Sequence, residues 1–199
     1  MPPRKPLETR RRILEAAFWE IYRNGFQGAS IDRILDGTRI TKGALFHHFS
    51  NKLQLGYAVV DGPLAAWVDE QWTRPLASEH DPVDAVPKLL LAYLDRNPEE
   101  IVHGGCPFNN LTQEMAGIDE GFRLRLDTLA TAWQSALADL WRRGHSAGHL
   151  EPDLDLDGLA AFSFAATLGS LGAAKVAKSR VVVERSAAAL ARILAGLRR

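Results

Sequence analysis

Apolar residues return every three or four positions along almost all of this 199-residue chain, and no segment alternates polar and apolar between turn signals. That periodicity restricts the fold to packed helices. In the first segment Ile13, Leu14, Ala17, Phe18 and Ile21 form one stripe, with Thr9 as the expected N-cap and "NGF" at 24–26 as the expected stop. Ser30 should cap a short second helix, with Ile31, Ile34 and Leu35 inward and Gly37 near its end. Thr41 should cap a third helix that ends near Phe49. Asn51 should cap a fourth that begins at Lys52 and is bent or divided by Pro63.

Further along, 75–82 reads as a loop and 83–95 as a helix with Pro87 near its first turn. "RNPEEIVHGGCP" at 96–107 reads as a break, and Pro107 opens a short helix reaching Met115. A long amphipathic helix covers 119–144, and a loop follows to 157. Asp155 or Asp157 caps an almost wholly small and apolar helix at 157–178, and a last amphipathic helix covers 182–197. The expected fold is all-α, about nine helices, with a small head on a larger helical body. The apolar fraction, 46%, is ample for such a core.

The net charge is zero, which alone argues against a nonspecific polyanion binder, but the average hides a split. Residues 1–52 hold ten cations, including Arg4 and Lys5, against five acids, a surplus of +5 that the rest of the chain cancels. A basic head that meets a polyanion and an acidic body that does not would produce this asymmetry. A solvated basic tail is the plainer alternative. The single cysteine, Cys106, rules out an intrachain disulfide and favours a reducing, cytoplasmic setting. The start, "MPPRKPLETRRR", has no apolar signal-peptide core, and no membrane span is expected.

Three short helices in about fifty residues with a basic surplus point to a helix-turn-helix. Its third helix lies in "RITKGALFHHFSNK" at 39–52. The helix opens with Thr41 and Lys42 and has the small Gly43 and Ala44 on its first turn, which lets backbone approach a DNA groove. Lys42 and Lys52 can neutralise phosphates, and His47 can hydrogen-bond at the rim. Leu45 and Phe49, four apart, are core positions. A metal site at His47 and His48 is disfavoured, because adjacent helical residues diverge by about 100° and helical metal pairs are three or four apart. No catalytic partner for either histidine is evident.

"ITKGALFHHFSNK", and "RRRILEAAFWEIYRNGFQGASIDRIL" before it, resemble the recognition region of TetR-family (TetR/AcrR-like) transcriptional repressors over about residues 9–60. The resemblance implies that residues 1–52 are a DNA-binding domain continuing into a linking helix at 51–73. It implies that 53–199 form an effector-binding and dimerisation domain. The DNA-contact set is then Ser30, Arg39, Thr41, Lys42, Gly43, Ala44, Phe46, His47 and Lys52. Two departures stand out. The family usually has tyrosine where Phe46 stands, and loss of that hydroxyl's phosphate bond would cost about 1 kcal/mol. The family also tends to have glycine where Arg39 stands, so Arg39 strains the turn or adds a phosphate contact.

The resemblance further implies a homodimer, a palindromic double-stranded operator, a small-molecule effector and no cofactor, catalytic residue or metal. Gly169, Ser170, Gly172, Ala173 and Ala174 offer a smooth face for a partner helix, and Leu190, Ile193, Leu194 and Leu197 an apolar stripe. The same residues could be one subunit's own centre. The aromatic-rich body suits a mostly apolar effector, with His103, Cys106, Asn110, Gln113, Trp133, Phe164 and Lys175 as the candidate pocket. Cys106 has two readings. At a helix N-terminus, with His103 near in sequence, it could be a reactive thiol that senses electrophiles or oxidants. The plainer reading is a buried structural cysteine, since free cysteine is among the most buried residues. Outside this class stand an enzyme using Cys106 with His103, which lacks an oxyanion motif, and a helical module whose head meets protein or lipid.

Overall fold

The computed structural model describes residues 5–199, so Arg4 and the side chain of Lys5, two of the head's cations, lie outside the described residues. The all-α expectation holds. Among the described residues there is no strand, only an isolated antiparallel bridge between Leu150 and Arg198. The helices are α1 (Lys5–Gly28), α2 (Ile31–Leu35), α3 (Lys42–His48), α4 (52–78), α5 (Pro82–Arg96), α6 (Pro98–Gly104), α7 (Pro107–Met115), α8 (Glu120–Ser146), α9 (Leu156–Ala177) and α10 (Val181–Ala195).

Four of the expected caps are in place. Ser30, Thr41, Asn51 and Asp155 each accept a hydrogen bond from a backbone N–H two or three residues into the helix, those of Arg33, Ala44, Gln54 and Gly158. Thr9 is different. It lies inside α1, which already begins at Lys5, because Pro6 suits a first turn whose N–H groups have no partner anyway. The glycine stop at 24–26 survives as a kink: Gly25 has φ 74° and ψ 164°, and one more turn follows it.

Two other expectations are corrected. Pro63 does not divide α4. It sits inside a π-helical turn, Val60–Leu64, and a second such turn, Asp69–Thr73, precedes Pro75. A widened turn absorbs the missing N–H of proline, so the helix runs on to Ser78 and the loop shrinks to 79–81. The expected break at 96–107 contains α6. Pro98 in its first turn and the acidic Glu99 and Glu100 are start signals, and Gly105, at φ 73°, ends it.

The chain forms two compact units. One comprises the described residues up to Trp67 with Asn110–Asp127, the other Val68–Asn109 with Thr128–Arg199. In the first, Ile13, Leu14, Ala17, Phe18 and Ile21 are buried, as their spacing predicts. The segment 110–127 completes this unit. The kink at Gly25 frees the N–H groups of Phe26 and Gln27, and the Glu114 carboxylate accepts both at 2.8 Å. Asp119 accepts from the Tyr57 hydroxyl at 2.7 Å and from the Phe122 N–H at 2.9 Å. Arg125 pairs with Asp61 at 2.9 Å and lies 4.3 Å above the Tyr57 ring.

Candidate nucleic-acid interface and aromatic interior

In the head, α3 divides cleanly into two faces. Leu45 and Phe49 are buried, while Thr41, Lys42, Gly43, Phe46 and His47 are exposed. Nothing inside the protein requires Gly43 to be small: a Cβ built there meets only the Thr41 hydroxyl oxygen, at 3.9 Å. Phe46 leaves 46% of its surface exposed, a large apolar ring at the surface.

Lys42 pairs with Asp32 at 2.7 Å, with both side chains mostly exposed. Such a pair is worth at most about 1 kcal/mol, so Lys42 can exchange it for a phosphate. Lys52 is held more firmly. Its ammonium donates to the Gln27 carbonyl at 3.1 Å and sits 4.9 Å over the Phe26 ring, so it ties the start of α4 to the end of α1. Ser30 and Thr41 act as caps, Ala44 is half-buried, and His48 meets His47 edge to face at 5.5 Å. A recess of about 480 Å³ opens beside them, lined by Arg10, Phe46, His47, His48, Ser50 and Gln54 among others. Arg10 reaches this face from α1, which the local reading of 39–52 missed.

Arg39 adopts φ 58°, the left-handed region that favours glycine. Its neighbours hold it there. Thr38 donates to Leu35 at 2.7 Å and accepts from the Ile40 N–H at 3.1 Å, and Arg12 donates to the Thr38 carbonyl at 2.5 Å. Arg39→Gly should therefore stabilise the head by about 1 kcal/mol while weakening duplex binding. Thermal unfolding and a DNA titration read the two effects separately. A lower melting temperature would contradict the strain argument.

Another missed residue is Glu20, buried and accepting from Arg33 at 2.5 Å, Asn24 at 2.9 Å and the Ser30 N–H at 3.4 Å. It fixes α2 against α1. Asp119 has its carboxyl held below the ordinary range by the Phe122 N–H first and the Tyr57 hydroxyl second. A depressed carboxylate adds stability above its unfolded pKa and loses it as pH falls through the folded value. The head's acid sensitivity should consequently be shallower in Tyr57→Phe, measured as melting temperature against pH. Unchanged profiles would remove Asp119 from that role.

The candidate pocket residues do not all fall together. Asn110 and Gln113 belong to the first unit, and His103, Cys106, Trp133, Phe164 and Lys175 to the second. Within the second unit Trp133 is buried, stacked on Trp72 with centroids 4.7 Å apart and set edge-on to Phe164 at 5.2 Å. Phe108 and Tyr93 complete this cluster. His103 is mostly exposed and directs its Nε2 to Glu99 at 3.5 Å, and Lys175 is half-buried on α9.

Cys106 goes against the reactive-thiol reading. It is 1% exposed, and burial pushes its thiol up to about 12, outweighing the backbone N–H groups of Asn109 and Phe108. A helix N-terminus lowers a thiol pKa only where the thiolate can stay solvated, and here it is sealed in the core. Cys106 should resist maleimide in the native protein and label only on unfolding. Fast native labelling would overturn this. Among the described residues no three His, Cys, Asp or Glu side chains group as metal ligands.

Half of the expected dimer face also turns inward. Ser170, Ala174, Leu190 and Leu194 are buried within the chain, whereas Gly169, Ala173 and Ile193 are exposed.

Two family models match the chain. One, described as bacterial regulatory proteins of the tetR family, covers residues 13–59, and one described as the tetracyclin repressor-like C-terminal domain covers 82–190. The chain is 30% identical over 153 residues to the transcriptional regulator AcuR of Cereibacter sphaeroides, covering 74% of this chain and 68% of that one. To the HTH-type transcriptional regulator TtgR of Pseudomonas putida it is 29% identical over 154 residues, covering 73% and 72%. A TetR transcriptional regulator from Chloroflexus aurantiacus superposes with a TM-score of 0.87 and 28% identity, over 99% of both chains.

Proposed function

Because the chain belongs to the tetR family of bacterial regulatory proteins, DNA-binding transcriptional regulators rather than enzymes, we propose that it is a homodimeric repressor released from a palindromic operator by a small, mostly apolar effector. The observation that carries this reading is the exposed face of α3. Thr41, Lys42, Gly43, Phe46 and His47 share it, and Gly43 is small for no internal reason. Thr41 and Gly43 let the helix start approach base edges, and Lys42 supplies a phosphate contact. Phe46 packs on the sugar–phosphate edge. Arg39 adds charge at the turn. Lys52 acts mainly by fixing α4 to α1.

The effector reading rests on the aromatic interior of the second unit, where five rings meet with few polar groups. The homodimer reading rests on α9. It is long and apolar enough to cross a membrane, yet only 28% of its most apolar window is buried. A second copy of the same helix would cover that face in a regulator that works on DNA in the cytoplasm. Effector and operator then oppose each other: each weakens the other's binding by the same factor.

Selection of bound sites from random duplexes tests the DNA reading. The expected result is an inverted repeat, with affinity that falls steeply as salt rises. Lys42→Ala should weaken binding to all sequences and flatten the salt slope by about one unit. Recovery of no sequence, or salt-independent binding, would sink the proposal.

A further inference from the structure

Of the three indoles that the second unit buries, Trp72, Trp133 and Trp141, two have polar ends that meet opposite fates. Trp141 donates its Nε1–H to the Ser163 hydroxyl at 3.3 Å, and Ser163 in turn donates to the Leu159 carbonyl at 2.7 Å. Thr167 and Ser170, also buried, donate to backbone carbonyls one turn earlier. Trp72 has no such partner. It is 3% exposed, and among the described residues its Nε1 is the one buried side-chain nitrogen or oxygen without a hydrogen bond.

An unmet buried N–H carries a desolvation cost, which the packing of this large ring must offset unless a partner arrives to accept from it. The groups around it are flat rings packed against one another. Trp133 stacks on Trp72 at 4.7 Å with an 18° interplanar angle, and Tyr93 lies 4.9 Å away. Phe108 and Phe164 flank Trp133. Trp72 also sits in the π-helical turn Asp69–Thr73 that precedes Pro75.

We propose that the Trp72 Nε1–H is the donor that orients the effector, and that the effector is a planar aromatic molecule carrying a carbonyl oxygen as acceptor. The guest exchanges ring–ring contacts in the cluster for its own and supplies the acceptor that the protein withholds. This deepens the effector-binding reading and rests on it.

The test uses the full-length protein, on its selected operator, with two probes of similar ring area: coumarin, which has a carbonyl, and naphthalene, which has no acceptor. Wild type should bind coumarin about tenfold more tightly than naphthalene, the effect of roughly one hydrogen bond. Trp72→Phe should lose that preference, and Trp141→Phe should keep it. In wild type, one of the five tryptophan indole N–H resonances should move downfield with coumarin and not with naphthalene. That measurement decides the matter if Trp72→Phe fails to fold. Absence of coumarin binding, equal binding of both probes, or a preference that persists in Trp72→Phe would each overturn the proposal. Equal binding in which both probes still release DNA would sink the Trp72 donor alone, leaving the effector reading intact. Operator binding that no ligand alters would sink that reading as well.

Discussion

Phe122→Ala should destabilise the head unit by about 3–5 kcal/mol and abolish operator binding, although residue 122 lies some seventy positions beyond the recognition helix. Phe122 is fully buried, with Phe26 at 4.7 Å and Tyr57 at 5.1 Å, both edge to face. The backbone is shaped around this ring. A Cβ added at Gly56 would come within 2.5 Å of Phe26 and 2.7 Å of Phe122, so α4 comes as close to both rings as only glycine allows. Removing the ring leaves a cavity where Phe26 and Tyr57 lose their shared contact. It also loosens the turn in which Asp119 accepts from Tyr57 and from the Phe122 N–H. Domain stabilities are about 5–15 kcal/mol, so such a loss removes a large share of the whole. Thermal unfolding gives the first number and duplex binding at fixed salt the second. Phe122→Leu, which keeps most of the volume, should cost far less. A folded Phe122→Ala head with wild-type affinity would show that 110–127 is dispensable to it.

The same residues mark where the sequence becomes opaque. Local chemistry was legible. Ser30, Thr41, Asn51 and Asp155 cap where their positions predict, because a cap needs only its own next turn. Leu45 and Phe49 are core because their spacing places them on one face. Glu114 on Phe26 and Gln27, or Tyr57 on Asp119, join positions more than sixty apart, and no periodicity encodes such pairs. Of the two readings of Cys106, the buried structural one holds and the reactive one does not. Its place at a helix start argued for a thiolate, but desolvation depends on what covers the residue, and that is a tertiary fact. Pro63 reads as a bend or a division and 75–82 as a loop because a π-helical turn leaves no compositional mark. Arg39 was the exception in the other direction: the departure from glycine pointed to a strained turn, and φ 58° is that strain.

Gly169→Arg should leave the subunit folded, convert a dimer to monomers and lower operator affinity on the order of 10²–10⁴-fold. The row Ala161, Ala165, Gly169 and Ala173, spaced four apart, is exposed along α9. Phe162, at 45%, and Val176, at 86%, extend the apolar surface on either side. An exposed apolar face of this length is costly in water unless another surface covers it. Gly169 is the informative position. A Cβ built there meets nothing within 4 Å, so an arginine side chain has room in the isolated chain. Arginine also favours helix over glycine by nearly 1 kcal/mol, so the monomer should not suffer. Between two close-packed helices, however, the guanidinium would be buried without a partner, a loss of several kcal/mol. Each head alone carries only a few phosphate contacts, and tight operator binding requires two heads joined at fixed spacing. Sedimentation measures the assembly, circular dichroism the fold, and titration with the selected operator the affinity. A dimeric Gly169→Arg protein that binds its operator normally would place the subunit interface elsewhere, and leave the apolar face of α9 to a different partner.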